Sequence, residues 1–221
     1  MNPLTAAAAV PAPGLHAAVR VLVSNNCPHC ARVIAELAPL RSQNVTVQII
    51  HVADAALLCE RLHVQAVPAT IVGEDLVIIG EVTAARVARL VSLQGTPEFD
   101  TERLVALLER DRLQEAVQRL AVDIPVRAVA ALLAEPALAS RMAGALLVER
   151  AQEVDASKLR GLAECLLGLL SHPDARIRGD VAMVLGSLAD RAAESALRDL
   201  LNDADPDVRE AAAEALEQLG V

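Results

Sequence analysis

The chain has 221 residues, 54% hydrophobic and 22% charged, with a formal net charge of −9. A pI near 5.0, with basic residues scattered rather than bunched, argues against nucleic acid or an anionic membrane surface as a partner. There is no Trp, no Tyr and a single Phe, Phe99, so the aromatic platforms on which nucleic-acid bases stack are missing. The apolar content is nearly all Ala, Leu and Val, which favours helix over much of the chain.

Residues 1–16 read as a flexible leader. No basic residues precede their short apolar stretch, which Pro11 and Pro13 interrupt, so no secretory signal is expected. No apolar run approaches the ~18 to 20 residues of a membrane span, and the expectation is a soluble, cytoplasmic protein. VRVLV at 19–23 has the β-branched character of a buried strand, and Ser24-Asn25-Asn26 is turn material. From Cys27 the pattern becomes helical through Ala31, Val33, Ile34, Leu37 and Leu40, with Pro39 bending or ending the helix. VTVQIIHV (45–52) predicts a second strand and 53–63 a second helix. Strands at 69–73 and 75–79 flank a tight hairpin at Gly73-Glu74, and a helix at 83–93 completes a βαβαββα unit.

Residues 94–98, QGTPE, read as a boundary. The expected organisation is an α/β domain at 17–94 and an all-α domain at 98–221. The predicted helices of the second domain run roughly 101–110, 112–121, 125–134, 138–153, 157–171, 175–189, 192–202 and 207–219. Its end repeats itself: Ile177-Arg178 and Val208-Arg209 stand 31 residues apart, and Ala182, Leu185 and Leu188 then match Ala213, Leu216 and Leu219. A weaker copy begins at Pro136, five residues before Arg141, as Pro173 stands five before Arg178. This stretch resembles the short bacterial HEAT repeats, closely over 172–219 and poorly over 100–170. The resemblance implies apolar seams between repeats, and an Arg that ties neighbouring turns together.

The chemistry concentrates at Cys27-Pro28-His29-Cys30. This spacing brings two sulfurs within disulfide reach across one helical turn. At a helix N-terminus the unpaired N–H groups and the positive dipole end stabilise the Cys27 thiolate, the species that attacks disulfides. Cys30, one turn deeper, resolves the mixed disulfide. Pro28 suits a first turn because it has no N–H to lose. A zinc site is the chemical alternative, but Cys59, His51 and His63 supply no second ligand pair. No metal or other cofactor is called for. Cys59, near Leu58 and Leu62, and Cys165, between Leu162 and Leu166-Leu167, are expected to be apolar core residues. His51 and His63 are expected to be structural or exposed.

Val67-Pro68-Ala69-Thr70, forty residues on and just before a strand, makes the pattern specific. Residues 19–93 resemble the thioredoxin superfamily in its small glutaredoxin-like branch. The resemblance implies that Pro68 is a cis-proline facing the dithiol, that the Val67 backbone pairs with a substrate peptide, and that Gly80 follows the closing hairpin. The Pro28-His29 dipeptide resembles that of the periplasmic disulfide-introducing oxidases, in which a His stabilises negative charge beside the thiolate. There are departures. Asn26 stands where a Trp is common, no buried Asp lies beneath the second Cys, and the helical insertion of the periplasmic oxidases is absent. The expected activity is thiol–disulfide oxidoreduction on a protein disulfide or dithiol, with the helical repeats docking a protein partner. The rival is an interaction scaffold or redox sensor in which the repeats dominate. A weaker third reading is the HEAT-like lyases of phycobilin attachment, which share the repeat alone.

Overall fold

Alternation of β-branched side chains builds the first element, and the rest of the first unit follows from it. The computed structural model describes residues 18–43 and 45–221; the expected leader at 1–16 lies outside the described residues. The chain divides into two compact units between Ser92 and Leu93.

In the first unit, β1 (Ala18–Val23) leads through the 24–26 turn into α1 (Pro28–Leu37), and a 3-10 segment (Ala38–Gln43) follows. Pro39 falls in that tighter segment, as its missing N–H requires. Next come β2 (Thr46–His51), α2 (Ala56–Arg61), β3 (Ala69–Val72), β4 (Leu76–Ile79) and α3 (Ala84–Leu93). The helix expected at 53–63 is shorter, because residues 52–54 form a 3-10 turn capped by the His51 side chain. The hairpin loop spans 73–75, one residue longer than expected. The sheet runs in the order β2-β1-β3-β4, with β1 and β2 parallel and the other pairs antiparallel.

Strand pleating sorts the side chains by face. Leu22, Ala69, Ile71 and Val77 form one cluster with Ala55 and Leu62, against which Leu58 and Cys59 of α2 pack. Val21, Val23, Thr70 and Ile78 alternate with these and face the other way. The buried residues of α1, namely Cys30, Val33 and Leu37, and those of α3, Val87 and Leu90, lie outside the α2 cluster. Those two helices therefore cover the opposite face.

The second unit is helical: α4 (Pro97–Leu108), α5 (Leu113–Arg119), α6 (Arg127–Leu133), α7 (Leu138–Asp155), α8 (Leu162–Leu167), α9 (Ala175–Leu188), α10 (Glu194–Leu200) and α11 (Pro206–Leu219). The first helix starts four residues earlier than expected. Thr96 accepts the Phe99 N–H and Pro97 occupies the first turn, so the 94–98 segment contains a helix start. The single helix expected at 157–171 is instead three pieces, a 3-10 turn at 156–159, α8, and a second 3-10 turn at 168–171. Gly161, at φ +81, breaks it because its left-handed backbone cannot continue a helix. Among the described residues no helix is long and apolar enough to cross a membrane.

One core made of Ala, Leu, Val and Ile runs through the helical unit. Its repeat is visible in the hydrogen bonds. Arg141 donates to the carbonyls of Glu135 and Pro136, Arg178 to those of His172 and Pro173, and Arg209 to those of Asp203 and Ala204. Each Arg thus closes the turn five and six residues before it. Arg141 also pairs with Asp180 at 2.5 Å, and Arg178 with Asp203 at 2.7 Å, which ties each turn to a later one. Arg141 is 3% exposed, so its bonds form out of water, where leaving a partner unmade is costly. The aligned pairs 177/208, 181/212, 184/215 and 185/216 are all buried. Ala213 is exposed while its match Ala182 is buried, since α9 also packs against α7 and α8, whereas α11 packs against α9 and α10.

Candidate functional site

The β1 strand ends at Val23, and the turn after it delivers Cys27 as the N-cap of α1. The Cys27 Sγ accepts the Cys30 backbone N–H at 3.1 Å, so one of the unpaired donors of the helix start points at this sulfur. Pro28 occupies the first helical turn. Cys27 and Cys30 are joined as a disulfide with their Cα atoms 5.3 Å apart. Cys27 is half-buried, while Cys30 is 3% exposed, facing the sheet. One sulfur meets solvent and the other does not.

The loop before β3 comes to the same place. The Val67–Pro68 peptide is cis, and the Val67 carbonyl oxygen lies 3.8 Å from the Cys27 Sγ. The Gly80 N–H donates to the Pro68 carbonyl at 2.8 Å, which holds this loop against the end of β4. Gly80 has φ +92, so its backbone conformation is one that a side chain would strain. Cys27, Cys30, Pro28, Val67 and Pro68 are therefore brought together.

His29 is exposed and turned to a carboxylate that the sequence reading passed over. Its Nδ1 lies 2.8 Å from Glu81 Oε1, and Arg32 lies 2.9 Å from the same oxygen. A carboxylate oxygen only accepts, so Nδ1 serves Glu81 when it carries a hydrogen; in the other tautomer it accepts from Arg32 Nη2, also 2.8 Å away, and Arg32 alone serves the carboxylate. The His29 hydrogen bond, ahead of the Arg32 charge, holds the Glu81 carboxyl below its usual 4.5. Arg32 was findable, being one helical turn from His29. Glu81 was not, being 52 residues away with no periodic relation to the motif. Arg32 and Glu81 also border an open hollow of about 670 Å³, with Glu36, Thr83 and Arg86 on its rim. There Glu36 accepts the first N–H of α3, from Ala84, at 2.9 Å.

The other expected residues fall elsewhere. Cys59 is half-buried against the α2 cluster. Cys165 is exposed, against expectation. Leu162, Ala163, Leu166 and Leu170 take the core-facing positions of this segment, and at ~100° per residue Cys165 lies about 60° outside their arc. The His51 Nδ1 accepts the Ala53 N–H at 3.2 Å, and His63 has a left-handed backbone. Among the described residues no group of three or more His, Cys, Asp or Glu converges as metal ligands would.

Comparison with known families matches residues 17–92 to the thioredoxin domain and residues 162–221 to HEAT repeats. No curated protein matches the chain. The chain joins a thioredoxin domain to HEAT repeats.

Proposed function

We propose, proceeding from a thioredoxin domain joined to HEAT repeats, that the chain is a thiol–disulfide oxidoreductase acting on protein thiols. The observation that carries this reading is the Cys27–Cys30 pair at the N-terminus of α1, with the Val67–Pro68 loop beside the outer sulfur. In the reducing direction the Cys27 thiolate attacks a substrate disulfide. A Cys27–substrate S–S bond forms, and the substrate's first sulfur leaves as a thiolate and takes up a proton. Cys30 then gives up its proton and attacks Cys27. The Cys27–Cys30 bond forms, the second substrate sulfur leaves and is protonated, and two electrons have passed to the substrate. The oxidising direction is the reverse of these steps.

Two features favour this division of labour. Cys27 is the more accessible sulfur, and the Cys30 N–H directed at it favours the thiolate over the thiol. The Val67 carbonyl offers an acceptor for an extended substrate backbone alongside Cys27. The HEAT repeats dock the protein partner in this reading. We place the chemistry in the cytoplasm, because four scattered cysteines form no disulfide framework.

The competing reading makes the chain a scaffold or redox sensor, and the continuous helical core with its Arg141 and Arg178 ties favours it. A Cys30→Ser chain separates the two. It should accumulate in lysate as reducible mixed disulfides with protein partners through Cys27, and a Cys27→Ser chain should not. Equal recovery of partners with both variants, unaffected by reductant, would leave the scaffold.

A further inference from the structure

We infer that Thr70 is a positioning residue for Cys30, its hydroxyl serving as the hydrogen-bond donor to the inner sulfur once the disulfide opens. The inference rests on the oxidoreductase reading above.

The resolving step needs Cys30 as a thiolate. At 3% exposure its sulfur is shielded from bulk water, and an apolar environment opposes the charged form. A polar group supplied by the protein is therefore needed. Thr70 and Arg141 are the only buried polar residues among the described ones, and Arg141 belongs to the helical unit. Thr70 is fully buried, and its Oγ1 has no hydrogen-bond partner among the described residues. A buried hydroxyl left unmatched is uncommon and calls for a reason.

Its position supplies one. Thr70 pairs in register with Val21 of β1 and Ile78 of β4, on the face turned away from α2 and covered by α1. Cys30 is buried from α1 onto this face. Thr70 also lies two residues along β3 from Pro68, about 7 Å, and the loop at Val67–Pro68 touches the outer sulfur. Strand register thus puts Thr70 on the face away from α2, two residues past the cis-Pro68 whose loop touches the outer sulfur. In the disulfide the Cys30 sulfur is tied to Cys27. Opening that bond frees the Cys30 side chain to turn toward the sheet.

Among the other polar groups near this face, His51 is the one rival to Thr70; Thr70 is favoured because it lies two residues from Pro68, whose loop touches the outer sulfur. On the strands, His51 is the one titratable side chain facing the same way, in register with Val23; its Nδ1 accepts the Ala53 N–H, and its Nε2, buried and likewise without a partner among the described residues, is the competing donor that His51→Gln tests below. His29, Arg32 and Glu36 of α1, Arg41 beyond it, Glu81, and Arg86 and Arg89 of α3 are all exposed.

The test is stopped-flow reaction of the reduced full-length chain with dithiobis(nitrobenzoate), in a Cys59→Ala, Cys165→Ala background. Cys27 attacks the reagent and releases one thionitrobenzoate anion. Cys30 then attacks Cys27 and releases the second, so the dithiol loses two electrons and two protons, the protons passing to solvent. The first phase reports Cys27 and the second reports Cys30. Thr70→Val, of equal shape and without the hydroxyl, should slow the second phase at neutral pH by about tenfold. It should also move its midpoint up by about one pH unit, the equivalent of that factor. The first phase should stay in place, and Thr70→Ser should restore the second. If Thr70→Val folds poorly, Thr70→Ala carries the same comparison. An unchanged second-phase pH profile in Thr70→Val overturns the inference and leaves the oxidoreductase reading standing. So does a midpoint that moves in His51→Gln but not in Thr70→Val. A wild type with no second phase removes both.

Discussion

Two glycines on one face-to-face helix pair should respond to the same substitution with opposite signs. Gly179 and Gly186 both lie inside α9, where Ala is favoured over Gly by ~1 kcal/mol on backbone entropy alone. A Cβ added at Gly179 would meet only Val208 Cγ2, at 3.9 Å, an ordinary contact. Gly179→Ala should therefore stabilise the helical unit by about 0.5–1 kcal/mol. A Cβ at Gly186 would lie 2.7 Å from the Cα and 2.9 Å from the Cβ of Ala215 on α11. Carbon atoms pack best at ~3.5–4.0 Å, so the helices would have to part by about 1 Å. Parting them loosens the Val181, Val184 and Leu185 side of the seam against Ala212, Ala215 and Leu216. Overpacking of this kind costs about 1–3 kcal/mol, so the propensity gain offsets it only in part, and Gly186→Ala should destabilise. At ~2–4 °C per kcal/mol, the first variant should melt a few degrees higher and the second a few degrees lower. Calorimetry of the full-length chain is the suitable assay, because two units need not unfold together and the absence of Trp and Tyr removes fluorescence as a probe. Adding Ala215→Gly to Gly186→Ala should recover only part of the loss, since the 2.7 Å approach is to backbone. Shifts of the same sign in the two single variants would refute the packing argument.

Among the four cysteines, Cys27 should alkylate fastest in the reduced chain at near-neutral pH, ahead even of the exposed Cys165, because only Cys27 has a helix-start N–H at its sulfur; peptide mapping by mass spectrometry reads this, and faster labelling of Cys165 would count against the site. Replacing His29 by Pro, or Pro28-His29 by Gly-Pro, should lower the reduction potential by roughly 10–30 mV in a glutathione titration, and Glu81→Gln, which removes the carboxylate that His29 engages, should raise it; all three shifts should shrink with added salt, since both side chains are exposed. Asp203, held below its usual 3.8 first by its bond to Arg178 and then by the Asp205 N–H, has a lowered folded pKa, so its stabilisation is complete above 3.8 and is lost as pH falls below it. Acid titration of the helical transition should accordingly be shallower in that range in Asp203→Asn than in the wild type.

The sheet was legible because its strands are short runs of Val, Ile and Leu bounded by turn residues, and period-two burial leaves few other readings. The dithiol was legible from its spacing. Its closeness to Val67 and Pro68, across forty residues, came from resemblance, since nothing local to either segment points to the other. Helix ends were read less well where a cap or a left-handed residue decided them. Thr96 and Pro97 start α4 inside what looked like a linker, and Gly161 cuts a run of Leu and Ala that reads as one helix. That cut explains Cys165: with Leu on both sides it looked buried, yet the phase set by Leu162 and Leu166 turns it outward. Glu81 and the unmatched Thr70 hydroxyl were not legible, because each matters only through what the fold sets near it.

The two units hold their structure by different means, and this gives a way to separate chemistry from docking. Among the described residues, the core cluster around α2 is built from positions between 22 and 77, and the helical core from positions between 104 and 219. Within the first unit, the first turn of α1 supplies an N–H to the Cys27 sulfur, the Val67 carbonyl lies beside it, and a bond from Gly80 holds the Val67–Pro68 loop. What orders the repeats is a set of arginines on carbonyls and carboxylates, with no sulfur involved. Substitutions on exposed positions of α7 and α9, such as Met142 and Met183, should therefore leave the reduction potential and the two-phase kinetics of the dithiol unchanged. If the repeats dock the substrate, the same substitutions should change which proteins a Cys30→Ser chain captures. A changed potential would mean that the repeats act on the dithiol itself, and an unchanged capture profile would place substrate selection within the thioredoxin domain.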